Sequence, residues 1–252
     1  MSDKPVKPRY FRSGDDADTY LEEKVRAAEQ GYIPRVYMLV TPEDGEGDLY
    51  TFVDGVMNPG GFPTPYAFEE HNFKMGNSWR NHTTCIEGLP HPETGVPMAC
   101  PICRSKVIPE NQRKPYTAHA YTVINHSAYR LRDGTVRNEE GNELTLLIAK
   151  TQLATVIKRK RRREQQNGGV RGWQGRFFRT DKKQANTGNE IQWEGRIEIP
   201  EEVLPFDYSV ILAPKTPEQI MKKLVQGGLA EPVNYNGPVN SSIGQGNDDI
   251  PF

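Results

Sequence analysis

Apolar and polar positions change period several times along the chain, and the changes mark its elements. Over residues 14–30, Ala17, Tyr20, Leu21, Val25 and Ala28 recur at helical spacing. Asp15 and Asp16 precede them and Gly31 follows, which predicts a helix. Residues 35–41 and 48–53 read as two strands joined by an acidic turn at 42–47, before a Pro/Gly loop at 57–65. Residues 66–75 and 78–85 predict a hairpin about Gly76-Asn77. Residues 86–115 hold several prolines and little periodicity, so they are expected to be irregular. Residues 116–125 alternate as a strand, and 144–149 form a short apolar one. Thr151 is placed to cap a helix that turns Leu153, Val156 and Ile157 inward and stops at Gly168-Gly169. Residues 173–180 and 191–199 predict strands flanking a basic loop. Thr216-Pro217-Glu218-Gln219 is a capping box with proline at the first helical position. The helix it opens carries Ile220, Met221, Leu224 and Val225 on one face, and Gly227-Gly228 ends it. The sum is a mainly β chain with a few helices, of α+β class.

Composition adds limits. A length of 252 residues suits one large domain with additions. With 35% apolar residues, 23 Gly and 20 Pro, the core is modest and the loops are long. No apolar run reaches the roughly 18 residues of a membrane span, and residues 1–12 lack the apolar stretch of a signal peptide. Three cysteines are poor material for a disulfide framework, so a reducing, cytoplasmic setting is expected. From Gly227 onward there is no Lys or Arg, and Gly, Asn, Pro and Ser dominate. Such a stretch cannot bury enough apolar surface to offset its ordering entropy, so residues 229–252 are expected to form a disordered tail.

The formal net charge of −1 conceals a segregated distribution. Residues 1–57 sum to −5, residues 150–196 to +9 and residues 197–252 to −5. The densest block is Lys158, Arg159, Lys160, Arg161, Arg162 and Arg163. Six consecutive positions circle a helix, and only Lys160 has an acidic partner four residues on, Glu164. A polyanion would neutralise the run; a solvated loop or a nuclear localisation signal are the plainer alternatives.

The cysteines are patterned. Cys100-Pro101-Ile102-Cys103 is a C-x2-C knuckle, with Cys85 upstream. Three thiolates and one histidine make a closed, structural zinc site for one ion. A redox pair would not need Cys85, and its surroundings do not read as a strand–helix unit. His71 and His82 are both candidates for the fourth ligand. If Gly76-Asn77 is a two-residue turn, they face each other across the hairpin on the same side, so geometry leaves both open. His91, in the irregular stretch, is weaker.

Aromatic and basic residues interleave on the strand-like segments. Tyr116, Tyr121 and Tyr129 accompany Arg130 and Arg132. Trp173, Phe177 and Phe178 accompany Arg171, Arg176 and Arg179, and Trp193 accompanies Arg196. Lys182 and Lys183 lie in the basic loop. Bases stack on aromatic faces while Lys and Arg follow phosphates. Alternation sends about half of such rings into the core, and Phe177 and Phe178, being adjacent, should point one in and one out.

The chain closes on Asp248-Asp249-Ile250-Pro251-Phe252, a short acidic and apolar peptide suited to a basic-rimmed pocket. This ending resembles the tip of bacterial single-stranded DNA-binding proteins, which recruits replication, recombination and repair enzymes. The middle of the chain, about residues 66–180, is similar to tailed-phage single-stranded DNA-binding proteins of the gene 32-like type. The similar segments are Glu70-His71-Asn72, Cys100-Pro101-Ile102-Cys103, Tyr121-Thr122-Val123-Ile124-Asn125-His126-Ser127 and Gly168-Gly169-Val170-Arg171-Gly172. The resemblance implies an OB-fold-like barrel over residues 32–212 with a zinc subdomain inserted at about 66–110, an N-terminal arm and helix over 1–31, and a C-terminal helix over 213–228. By ligand order it favours His71. It further implies a non-enzymatic protein that coats single-stranded DNA in the host cytoplasm. The alternative is a zinc-stabilised nuclease or recombination factor, for which no phosphate loop or catalytic motif is found in the sequence.

Overall fold

The structure is a computed structural model that describes residues 33–36, 41, 45–55, 65–76, 78–91, 93–130, 136–185 and 187–230. The N-terminal helix expected at 14–30, most of the strand expected at 35–41, and the tail with its tip, Asp248 to Phe252, lie outside the described residues. The chain divides into residues 1–35 and residues 36–252, and everything below concerns the second unit.

Among the described residues nine strands form: β1 (Asp48–Phe52), β2 (Tyr66–Met75), β3 (Ser78–Thr84), β4 (Tyr116–Asn125), β5 (Tyr129–Arg130), β6 (Val136–Arg137), β7 (Glu143–Lys150), β8 (Trp173–Phe178) and β9 (Glu190–Arg196). Five helices accompany them: α1 (Pro101–Arg104), α2 (Glu110–Arg113), α3 (Thr151–Arg163), α4 (Tyr208–Ile211) and α5 (Pro217–Gln226). The stretch expected to be irregular thus contains two four-residue helices. Thr151 is the first helical residue of α3, with Lys150 as N-cap and no side-chain cap. That helix ends at Arg163 and passes through a 3-10 turn to a left-handed Gly168.

All pairings are antiparallel, and β4 is the hub. One of its edges pairs with β7 along its length, from Ala118↔Lys150 to Asn125↔Glu143. Its other edge is shared: β2 takes the first half, Tyr66↔Ala120 to Glu70↔Tyr116, and β1 takes the second, with Phe52↔Val123. The sheet continues from β1 to β8 and β9, and from β2 to β3. It is an open sheet: among the described residues no ladder joins β9 to β7. Helix α3 packs against β4, β7 and β9, and β5 and β6 form a separate two-stranded ribbon. No helix among the described residues is long and apolar enough to cross a membrane.

Two apolar clusters result. The larger sets Leu153, Ala154 and Ile157 of α3 on Tyr121, Val123, Leu147 and Ala149, with Tyr50, Phe52, Phe177 and Ile191 completing it. Rings meet edge-on there, Tyr50–Phe177 at 5.1 Å and Phe52–Tyr121 at 5.8 Å, an arrangement favoured by the ring quadrupoles. The second cluster joins Phe73, Ile86, Met98, Ile102 and Ile108 to Cys85 and Cys100, and it includes Ile220 and Leu224 of α5.

The opposite face of the central strands is covered by the segment leading into α4. Buried Asp54 accepts the Thr122 N–H at 2.6 Å and the Tyr208 hydroxyl at 2.8 Å, while Phe206 N–H donates to Thr122 Oγ1. Burial pushes the Tyr208 phenol up, so it stays a proton donor to this carboxylate. Gly172 is fixed by space as well as by its φ of +80°: an added Cβ would lie 2.2 Å from the Ile197 carbonyl oxygen.

Candidate metal centre and nucleic-acid interface

His71 reaches the cysteines because the hairpin register is not uniform. At the turn Met75 faces Ser78, but beyond a bulge the pairs are Phe73↔Asn81, Asn72↔His82 and His71↔Thr83. The bulge is held by Asn81, whose Nδ2 donates to the carbonyls of Ser78 (2.9 Å) and Phe73 (3.3 Å). One extra residue reverses the faces. The expectation that His71 and His82 share a side is therefore corrected. His71 is fully buried with the cysteines, and His82 lies on the other face with its Nδ1 3.3 Å from buried Glu70.

Strand β3 runs directly into Cys85, whose N–H donates to the Glu69 carbonyl at 2.8 Å. The loop that follows folds back through Gly88 N–H to Met98 O and Met98 N–H to Leu89 O, and so returns Cys100 beside Cys85. Proline at the first position of α1 starts the turn that brings Cys103 round. Glu87 ties the loop together: it accepts the Cys100 N–H at 2.6 Å and the Arg104 guanidinium at 2.7 Å. The hydrogen bond from Arg104, then that from the Cys100 N–H, holds the Glu87 carboxyl below its ordinary range.

The four donor atoms of His71, Cys85, Cys100 and Cys103 lie within 4.8 Å of one another. His71 Nε2 is 3.5 Å from both Cys100 Sγ and Cys103 Sγ, and Cys85 Sγ is 3.6 Å from Cys103 Sγ. Separations of 3.5–3.6 Å are those of donors that share one tetrahedral metal ion, so these residues could hold one. The cysteine sulfurs are far too distant for a disulfide. The Cys100 thiol is pulled down to about 3, first by the hydrogen bond from Cys85, then by His71 and by backbone N–H groups of Cys103 and Ile86. Cys85 is raised because its proton is held toward Cys100, and burial raises Cys103 to about 11. The three sulfurs and the His71 imidazole would hold the ion, the thiols giving up their protons as it bound. We expect His71→Ala to lose the ion and His82→Ala to keep one per chain; metal analysis of the two purified variants separates the two histidines.

The basic run forms the last turns of α3. Lys160 folds inward, with Nζ 3.0 Å from the Trp173 ring centre, 5.5 Å from that of Trp193 and 3.6 Å from Glu164. Arg161 is half-buried, its stem against Gly169. Lys158, Arg159, Arg162 and Arg163 are exposed, and none of the four pairs with a carboxylate among the described residues. The negative end of the helix dipole helps to hold them there.

Other expected DNA contacts are redistributed. Tyr121 is 1% exposed and belongs to the core, so its ring cannot stack on a base. Phe177 and Phe178 are both buried, because the outward Phe178 is covered by Gly47, whose added Cβ would meet the ring at 2.6 Å. Arg171 is a structural clamp, donating to the carbonyls of Val53 (2.7 Å), Pro200 (2.8 Å) and Val203 (3.0 Å). Arg176 is paired with Glu194 at 2.6 Å. Trp173, Tyr129 and Arg179 are half-buried, Lys182 and Lys183 are exposed, and Arg130 lies in β5. The sequence reading missed His119. It sits half-buried on β4 beside Lys158 and Arg161, and burial followed by those two charges lowers its pKa. Its place three residues after Tyr116 on an alternating strand was the only signal. Glu87 was missed too, although its position two residues after Cys85 was visible.

No family model, curated protein or solved structure matches the chain.

Proposed function

We propose that the protein binds single-stranded DNA without chemistry, coating and protecting it in phage replication, recombination and repair. The observation that carries this is the cationic face of α3: Lys158, Arg159, Arg162 and Arg163 stand exposed without carboxylate partners among the described residues, with His119 of the central strand near Lys158. Concentrated positive charge on a rigid element suits a flexible phosphate backbone. An OB-like barrel agrees with the way β1 and β2 share one edge of β4, and with α3 lying against both β7 and β9. Three thiolates and an imidazole suit zinc, which with four protein ligands has a structural role. The chain's own residues then do two things: the ligand set fixes the 85–104 loop, and α3 presents charge. The terminal Asp248-Asp249-Ile250-Pro251-Phe252 recruits replication and repair enzymes in the bacterial cytoplasm.

Competition tests the preference for single strands. A labelled oligodeoxythymidylate bound to the protein should be displaced by unlabelled single strand at far lower concentration than by duplex. Equal displacement by duplex would contradict the reading.

A further inference from the structure

We infer that the metal centre is the anchor of the C-terminal helix: filling it docks α5, and emptying it releases α5 while the central sheet stays folded. Helix α5 has ten residues, below the roughly 12–15 at which isolated helices become even marginal in water. Its capping box closes the N-terminus but gives no fixed position. Position comes from Ile220 and Leu224, each 1% exposed, packed with Phe73, Ile86, Met98, Ile102, Ile108 and two of the ligand cysteines. Of these partners only Phe73 lies in a sheet strand.

The others belong to residues 85–108, which hold one four-residue helix and a few turn hydrogen bonds. That stretch supplies three of the four ligands, so the ion is what closes it. The other contacts of α5 are on the β2–β3 hairpin that carries His71. Lys223 Nζ lies 3.5 Å from Thr83 Oγ1, and Thr83 is the cross-strand partner of His71. Gly227 sits so close to Met75 that an added Cβ would come within 2.0 Å of its sulfur. Leu229 and Ala230 pack on the same cluster.

The segment before α5 is held differently. Tyr208 is bonded to Asp54 and Thr122, and the Leu212 carbonyl accepts the Thr84 hydroxyl at 3.1 Å. Release therefore stops at about residue 212 and leaves the main core intact. The coupling is reciprocal: whatever weakens α5 docking must weaken metal binding by the same factor.

Two measurements on the full chain test this. In hydrogen exchange before and after chelation of the ion, peptides from 85–113 and 217–226 should lose protection together, by about tenfold or more. Peptides from 116–125 and 143–157 should stay within about twofold. Unchanged protection of 217–226, or loss of α5 and the sheet in a single step, would overturn the inference. Second, Leu224→Ala removes apolar contact without touching a ligand. Zinc affinity, read by competition with a chromophoric chelator, should fall about tenfold; an unchanged affinity would overturn it.

Discussion

Replacing Lys158, Arg159, Arg162 and Arg163 together by alanine is expected to weaken single-strand binding by about 10²–10³-fold at 0.1 M salt, because four single-strand phosphate contacts carry a salt slope of about −0.7 each. The same variant should show a shallower dependence on salt, by nearly three units of log–log slope. Folding should be unaffected. The four side chains are exposed and make no ion pairs among the described residues, and alanine is the best helix former. The helix is held from its other side by Leu153, Ala154 and Ile157, and Lys160 remains over Trp173. Circular dichroism and thermal melting would verify the fold, and anisotropy titrations over a salt series would give the affinity and slope. If the affinity is unchanged while the fold is intact, the phosphate track lies elsewhere, and the exposed Lys182 and Lys183 become the next positions to replace.

The second large effect is expected at Cys100. Cys100→Ser should reduce bound metal from one per chain to near zero and unfold the ligand loop. Cys100 is fully buried, lies 3.5 Å from His71, and is the thiol whose charge is most favoured. Serine cannot supply a thiolate and leaves a hydroxyl in an apolar cluster. Structural zinc gives an apparent binding free energy of about 10–16 kcal/mol in small zinc domains. The loss should therefore exceed what Phe73, Ile86, Met98 and Ile102 can recover by packing alone. The main core shares no residue with this cluster, so calorimetry should show an early transition for the module apart from that of the sheet. Metal at one per chain in this variant would refute the ligand set.

That Cys85, Cys100 and Cys103 could share one metal ion was legible in the sequence because thiol spacing along a short loop is a local property. Geometry alone left the histidine open, and only the ligand order of the resemblance favoured His71, the histidine found with the cysteines. The choice turns on a bulge held by the Asn81 amide, and nothing local in Ser78-Trp79-Arg80-Asn81 announces that register. Strand β4 occupies the residues predicted for it, 116–125, because alternation and turn residues on both sides agree. The individual DNA contacts fared worse for a physical reason. An arginine beside aromatics looks the same whether it meets phosphates or carbonyls, and Arg171 is committed to Val53, Pro200 and Val203, brought to it by distant parts of the chain. Phe178 follows the period-2 rule in direction but not in exposure, since Gly47 covers it. Lys160 was set apart in the sequence by Glu164 four residues on, but not by Trp173 and Trp193, whose rings draw it inward. Helix periodicity alone placed Ile220 and Leu224 on one face, but not the cysteine cluster they cover.

The near-zero net charge acquires a spatial meaning from α3. Cations are gathered at the end of α3, where Lys160 turns toward Glu164; elsewhere Arg176 pairs with Glu194, Arg104 with Glu87 and Lys114 with Glu110. Lys158, Arg159, Arg162 and Arg163, exposed at i, i+1, i+4 and i+5, form one face of α3, an arrangement that suits a polyanion.

The most direct test is an equilibrium titration of the purified, metal-loaded protein with a labelled oligodeoxythymidylate across a salt series. The account predicts tight binding at low salt that weakens linearly in log–log form, with a slope of about −0.7 per phosphate contacted. No detectable binding at low salt, or binding that does not respond to salt, would contradict it.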